Sequence, residues 1–256
     1  MDKRIGAQLF TVREYCETIE DFDKTCEKLH NIGYKMMQVS AVGPTDGKLL
    51  KASADKHGLD VTVTHCRDPR YMEDLDGVIK YHKDLDCKIA GLGCMPNIDN
   101  FDENVMNDFI RNYGNVVAKL KDNGLTFGYH NHAVEFKKFK GKRIMDIIIG
   151  EMQSDNFKLI FDVYWATYAG LDPAKFIREH KGSIACVHFK DYTIFGMSEI
   201  RMAPVGEGNV DWDNVIDACN EAGVQYAYVE QDYCYGEDPF ECMARSYEFL
   251  AKKGFN

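Results

Sequence analysis

This chain is short of positive charge, of proline and of long apolar runs, and each shortage removes a class of function. Lys and Arg number 31 against 41 Asp and Glu, a net charge of −10. The clustered cations that a phosphate backbone requires are missing, so no nucleic-acid partner is expected. The basic stretches "FKKFKGKR" (136–143) and "AKKG" (251–254) are short, and the first reads as the solvated start of a helix. No run reaches membrane-spanning length, and "KLIFDVYW" is broken by charge within a few residues, so no membrane partner is expected. The opening "MDKRIGAQLF" carries charge at once and no apolar stretch, which predicts a cytoplasmic protein. The 9 cysteines are odd in number, widely spaced and without a CxxC pair. That excludes a thioredoxin motif or zinc ribbon; Cys26, Cys186 and Cys219 read as reduced, buried small hydrophobes. No GxGxxG follows the first strand, no P-loop exists, and no Pro- or Ser-rich linker divides the chain.

What is present is a rhythm. Helix-like segments end in glycine, an apolar residue follows, and a strand-like run begins: "HNIGYKMMQVS", "DKHGLDVTVTH", "KDNGLTFGYHN" and "NEAGVQYAYVEQ". A glycine just past a helix takes the left-handed conformation that turns the chain, so these are predicted helix-to-strand junctions. Eight strand-like runs emerge: "IGAQLFTV" (from 5), "KMMQVSAV" (35), "DVTVTHC" (60), "CKIAGLGC" (87), "LTFGYHNH" (125), "KLIFDVYW" (158), "IACVHFKD" (184) and "YAYVEQD" (226). Between them lie helical patterns, such as Phe22, Cys26 and Leu29, segments 101–122 and 240–252, and a helix from Asp211 as N-cap to Gly223 as stop. Eight strands alternating with helices over 256 residues is the arithmetic of a single α/β domain, a (β/α)8 barrel spanning 1–256.

In such a barrel chemistry sits where the strands end. Strand 3 ends in His65; strand 5 in His130 and His132, with Glu135 beyond; strand 6 carries Asp162 before Tyr164 and Trp165. Strand 7 carries His188, Lys190 and Asp191, and strand 8 ends in Glu230, Gln231 and Asp232. Any one of these alone is ordinary strand-end polarity. Their recurrence on successive strands points to a site, because side chains two apart share a face and carboxylates from strands 5 to 8 would converge. Converging buried charges need compensation, and a divalent cation supplies it. Three oxygen donors and one imidazole suit Mn²⁺, Mg²⁺ or Co²⁺, with Zn²⁺ a further alternative.

The stretches "GAQLFTVRE", "YHNHAVEF", "FDVYWATYAGLDP", "VHFKDY", "PVGEGNVDW" and "YVEQDYCYGEDPF" resemble the xylose-isomerase-like TIM-barrel superfamily of sugar isomerases and epimerases along essentially the whole chain. It also includes inosose dehydratase and endonuclease IV. The resemblance implies a divalent metal, usually Mn²⁺, held by Glu135, Asp162, His188 and Glu230. The sequence departs from it at one point: aligned on Asn131, Gly128 stands where many ketose epimerases carry the first glutamate. Glu135 is therefore expected to serve from the loop, leaving His132 as a base.

The expected substrate is a small carbohydrate, and the expected reaction is proton transfer beside a keto-sugar carbonyl through an enediolate. Glu230 with Glu135 or His132 would act as base and acid, with Lys190, His65 and His130 holding polar groups. Trp165 and Phe10 would offer apolar faces to the sugar, and Glu207 would close the mouth from the "VGEGN" loop. The same first step followed by loss of a β-leaving group gives a lyase or dehydratase. An abasic-site nuclease needs more metal ligands and a basic surface; a non-catalytic sugar-binding barrel needs neither. Nothing in the sequence excludes a homo-oligomer.

Overall fold

A computed structural model describes all 256 residues. The eight runs form the parallel strands of a closed barrel: β1 (Gly6–Gln8), β2 (Met36–Val39), β3 (Asp60–Cys66), β4 (Ile89–Leu92), β5 (Thr126–His130), β6 (Phe157–Asp162), β7 (Ile184–Phe189) and β8 (Tyr226–Val229). Each strand pairs with its neighbours in chain order, and β8 closes on β1 with Gly6 opposite Tyr228. Helices cross between successive strands, the longest being Glu103–Asp122, and the strands are buried on both faces, as all six residues of β7 show. The junctions behave as the glycine pattern predicts. Gly124 (φ +73°) and Gly223 (φ +73°) take the left-handed conformation, the latter ending a helix capped by Asp211 through Asn214 N–H.

The barrel interior is packed by large side chains projecting into space that glycines leave. A Cβ on Gly6 would lie 2.3 Å from the Tyr228 ring, and one on Gly128 would lie 2.7 Å from Ile160 Cδ1. Those two bulky residues, with Val63, Ile89, Ala185 and Cys186, plug the interior below the polar layer. A separate apolar cluster of 64 residues lies between the barrel and its helices. All 9 cysteines are unpaired, most of them buried, as the composition reading expects.

Two hairpins escape that rhythm. Residues 136–143 are not a helix start: Lys138–Phe139 pairs antiparallel with Lys142–Arg143, turning through Lys140 (φ +49°) and Gly141 (φ +85°) before a helix begins at Ile144. After β7, Asp191–Phe195 pairs with Glu199–Ala203 and projects from the barrel mouth. Neither has the apolar run that marks a core strand, because neither buries both faces.

Candidate metal centre and surrounding cavity

Strand alternation sets the site. Gly6 and Gln8, Met36 and Gln38, Val63 and His65, Gly128 and His130, Ile160 and Asp162, Cys186 and His188, and Tyr228 and Glu230 are pairs two residues apart, so each polar member stands one step above the interior plug. Four of them, His130, Asp162, His188 and Glu230, bring ligand-type atoms within 4.8 Å of one another, all buried.

Carbonyl oxygens fix the imidazole tautomers. A carbonyl only accepts, so His130 Nδ1 donates to Gly93 O (3.1 Å) and its Nε2 presents a lone pair 3.5 Å from Asp162 Oδ2. Likewise His188 Nε2 donates to Gln38 Oε1 (2.8 Å), which turns Nδ1 toward Glu230 Oε2 at 2.8 Å and Asp162 Oδ2 at 3.7 Å. Asp162 Oδ1 accepts from Trp165 N–H, while Asn131 exchanges two hydrogen bonds with the Asp162 backbone, locking β5 to β6. His130 Nε2 and Asp162 Oδ2 are left buried with no hydrogen-bond partner, and His188 Nδ1 faces only the two carboxylates. Two imidazole nitrogens and two carboxylates facing one another in a buried group are the donor set a divalent cation takes, so the residues present fit the group.

A cation of the chain's own stands beside them. Lys190 is fully buried, with Nζ 2.7 Å from Asp232 Oδ1, 3.4 Å from Glu230 Oε2 and 3.5 Å from Asp162 Oδ2. Burial alone would push Asp162 and Glu230 up; the ammonium and the imidazoles override it and hold both carboxyls below their ordinary range. Burial would push His188 down, and the two carboxylates instead hold it at about 9, so a cation bound at Nδ1 would take the place of the proton that Nδ1 otherwise shares with Glu230. Asp232 moves the other way, up to about 6, through burial and the Glu230 charge. Burial keeps His65 well below its ordinary value and His132 at about 3, so both are neutral bases.

Above this group opens a cavity of about 450 Å³ lined by His65, His130, His132, Trp165, Lys190 and Glu230, with Phe10, Arg67, Met95 and Asp232 at its walls. His65 Nε2, His132 Nδ1 and Trp165 Nε1 are buried and unpartnered, a supply of polar atoms for a ligand. The Trp165 ring lies 5.5 Å from His132 and beneath the Lys190 ammonium at 5.2 Å.

The structure therefore gathers Glu230, His130, His132, Lys190, His65, Trp165 and Phe10 around one cavity, with Asp162 and His188 buried against Glu230. Glu135 stands apart. Its carboxylate is buried, accepts from Tyr129 O–H (2.9 Å) and from His132 N–H (2.8 Å), and is pushed up by burial. It braces the loop that carries His132, and His130 is the strand-5 member of the buried group. The packing explains why: Ile160 fills the space above Gly128, so β5 offers its first inward polar side chain two residues later. Glu207 is exposed on the 204–210 loop and pairs with Arg245 (2.8 Å), outside the cavity lining. That loop is held by Asp191, whose buried carboxylate accepts from Gly206, Gly208 and Val210 N–H and from Trp212 Nε1–H. Gln8 and Gln38 are the site residues the strand-end reading passed over. Their signal was present, as single polar residues inside the apolar runs "AQLF" and "MQVS".

Parallel strands closed into a barrel, with side chains that could hold a metal ion gathered where the strands end, define the class: a (β/α)8 barrel with one polar mouth. Within that class the chain belongs to the xylose isomerase-like TIM barrel family, which it matches over residues 26–253. Solved structures agree on the fold. A sugar phosphate isomerase/epimerase from Parabacteroides distasonis superposes with a TM-score of 0.84 at 21% identity, covering 100% of this chain and 96% of that one. L-ribulose 3-epimerase gives 0.75 at 17% identity, covering 99% and 94%. A probable 3-DHS dehydratase from Bacillus anthracis gives 0.74 at 12%, covering 97% and 98%. No curated protein matches the chain.

Proposed function

We propose that this protein is a sugar isomerase or epimerase that moves a proton at the carbon beside a keto-sugar carbonyl, with a divalent cation bound by His130, Asp162, His188 and Glu230. The observation that carries this is the buried convergence of ligand-type atoms from His130, Asp162, His188 and Glu230 within 4.8 Å of one another, on the floor of a sugar-sized cavity. Two imidazoles with two carboxylates suit Mn²⁺, Co²⁺ or Zn²⁺ better than Mg²⁺, which prefers oxygen alone. When bound, the ion supplies Lewis-acid stabilisation of negative charge on the substrate's oxygens.

The chain's own groups do the rest. Glu230 lines the cavity with Oε1 free of any hydrogen bond within the chain, so it can accept the proton. His132, kept neutral by burial, is the second proton acceptor, aimed by the Glu135 bond to its backbone N–H. Lys190 holds a fixed positive charge beside the developing enediolate. Trp165 and Phe10 give the apolar C–H face of the sugar a surface to lie on and exclude water. A cytoplasmic location accords with nine unpaired thiols.

A second reading, a keto-sugar dehydratase or lyase, has one observation in its favour. The proton-handling groups are unlike, a carboxylate and a neutral imidazole, which suits taking a proton from carbon and giving one to the oxygen that leaves. Metal analysis with a panel of ketoses, inososes and 3-keto-glycosides in D₂O tests both. The isomerase or epimerase leaves solvent deuterium on the carbon next to the carbonyl of its product; the lyase gives an unsaturated product. Glu230→Gln should slow either by about 10²–10⁴-fold. Unchanged turnover in that variant refutes both.

A further inference from the structure

Asp232 has a cavity on each side of it. One is the cavity above the buried group; the other is a cleft of about 400 Å³ lined by Arg13, Tyr15, Tyr233 and Tyr235, among others. Phe10 lines the first, Arg13 the second and Asp232 both. Arg13 stacks its guanidinium on the Phe10 ring at 4.2 Å and donates through Nη1 to Phe10 O (2.6 Å) and Asp232 O (3.2 Å). Its Nε and Nη2 make no hydrogen bond within the chain, and it has no carboxylate partner.

Tyr15, Tyr233 and Tyr235 are 41%, 62% and 49% exposed; Tyr15 packs edge-on against Phe240, whereas the Tyr233 ring meets no other ring or cation of the chain. The chain also accepts backbone strain to hold one of them. Tyr235 sits at φ +51°, where a bulky L-residue is rare. Its hydroxyl accepts from Met202 N–H (3.2 Å) at the root of the projecting hairpin, and Arg201 lies over its ring at 4.9 Å. Gln231 Nε2 donates to Tyr233 O, fixing the loop that carries Tyr233. Flat aromatic faces beside an unpaired guanidinium and carboxylates are what a sugar ring recognises, with its C–H face on the aromatic and its hydroxyls on the planar polar groups.

We infer that this cleft is a second sugar-binding subsite, so that the substrate is a glycoside or disaccharide whose reacting ring lies over the buried group and whose other ring lies against Tyr233 and Arg13. The inference rests on the carbohydrate reading of the main cavity. It gives the place of Asp232 on both cavities a purpose: a glycosidic oxygen crosses there while the two rings occupy the cavities on either side.

The test uses the full chain loaded with Mn²⁺, with glucose, maltose, cellobiose and trehalose as probes. Affinities are measured by calorimetry for the parent, Tyr233→Ala and Arg13→Gln. At least one disaccharide should bind about tenfold more tightly than glucose, and Tyr233→Ala should remove about 3- to 10-fold of that while leaving glucose within about twofold. Tyr233 is mostly exposed, so that variant keeps the parent's melting temperature, whereas Arg13→Gln serves as the second, independent probe of the same wall. Disaccharides bound no better than glucose, or equal losses for glucose and disaccharide in Tyr233→Ala, overturn the subsite. Keto-monosaccharide turnover is followed in parallel. Turnover without any Tyr233-dependent disaccharide preference sinks the subsite alone, and Tyr233-dependent disaccharide binding without turnover of any keto-sugar sinks the proposed chemistry alone.

Discussion

Lys190→Met asks whether the cavity floor is an ion site balanced by a lysine or an ordinary buried salt-bridge network. The parent ammonium is 1% exposed and lies 2.7–3.5 Å from three carboxylates, Asp232, Glu230 and Asp162. Methionine keeps the stem and deletes the charge, leaving three acidic groups around an apolar tip with His188 as the remaining cation within reach. Removing one partner of a buried ion pair costs about 3–5 kcal/mol. At roughly 2–4 °C per kcal/mol for a chain of this size, the melting midpoint in chelator should fall by about 6–20 °C. Manganese should then do more for the variant than for the parent. At a hundredfold excess over its dissociation constant the ion stabilises the parent by about 2.7 kcal/mol. In the variant the repelling ammonium is gone, so the same manganese concentration gives a larger gain. Thermal melts of both proteins in EDTA and in MnCl₂ provide the four numbers needed. An unchanged midpoint in EDTA, or a manganese gain no larger in the variant, refutes the electrostatic account of the site.

Other consequences are as direct. His130→Ala should weaken manganese binding more than about 100-fold and Glu135→Gln less than about 10-fold, measured by calorimetry; the reverse order would make Glu135 the ligand. Asp191→Asn replaces an acceptor of several N–H groups by an amide that cannot satisfy them all, so urea unfolding should show a loss of about 2–4 kcal/mol, and proteolysis should cut the 204–210 loop. His82 is buried between Val78 O and the Thr64 hydroxyl, and burial pushes it down to about 4. The unfolded chain therefore takes up this proton first as pH falls below about 6.5, and the folded chain only near 4, so the contribution of His82 to stability falls across that window by about 3 kcal/mol and is flat above it. His82→Gln should flatten that slope in urea unfolding at several pH values; an unchanged slope assigns the loss to other groups.

The sequence by itself determined the barrel and the level at which its chemistry sits. Junction glycines, such as Gly124 and Gly223, mark where helices stop, and the apolar runs after them are too short for helices. Both are local properties, set by backbone sterics and burial within a few residues. Alternation along a strand is local too, so Asp162, His188 and Glu230 could be placed at the mouth from their neighbours alone. Which group completes them could not be read that way. Whether His130 or Glu135 turns inward depends on Ile160 of β6 filling the space over Gly128 of β5, and on the Tyr129 hydroxyl reaching the Glu135 carboxylate. The tautomers of His130 and His188 depend on Gly93 and Gln38, 37 and 150 residues away in the chain. Lys190 acquires its role only when β6 and β8 bring carboxylates against it. Contacts between residues distant in sequence leave no period or spacing to read, and only the closure of the barrel decides them.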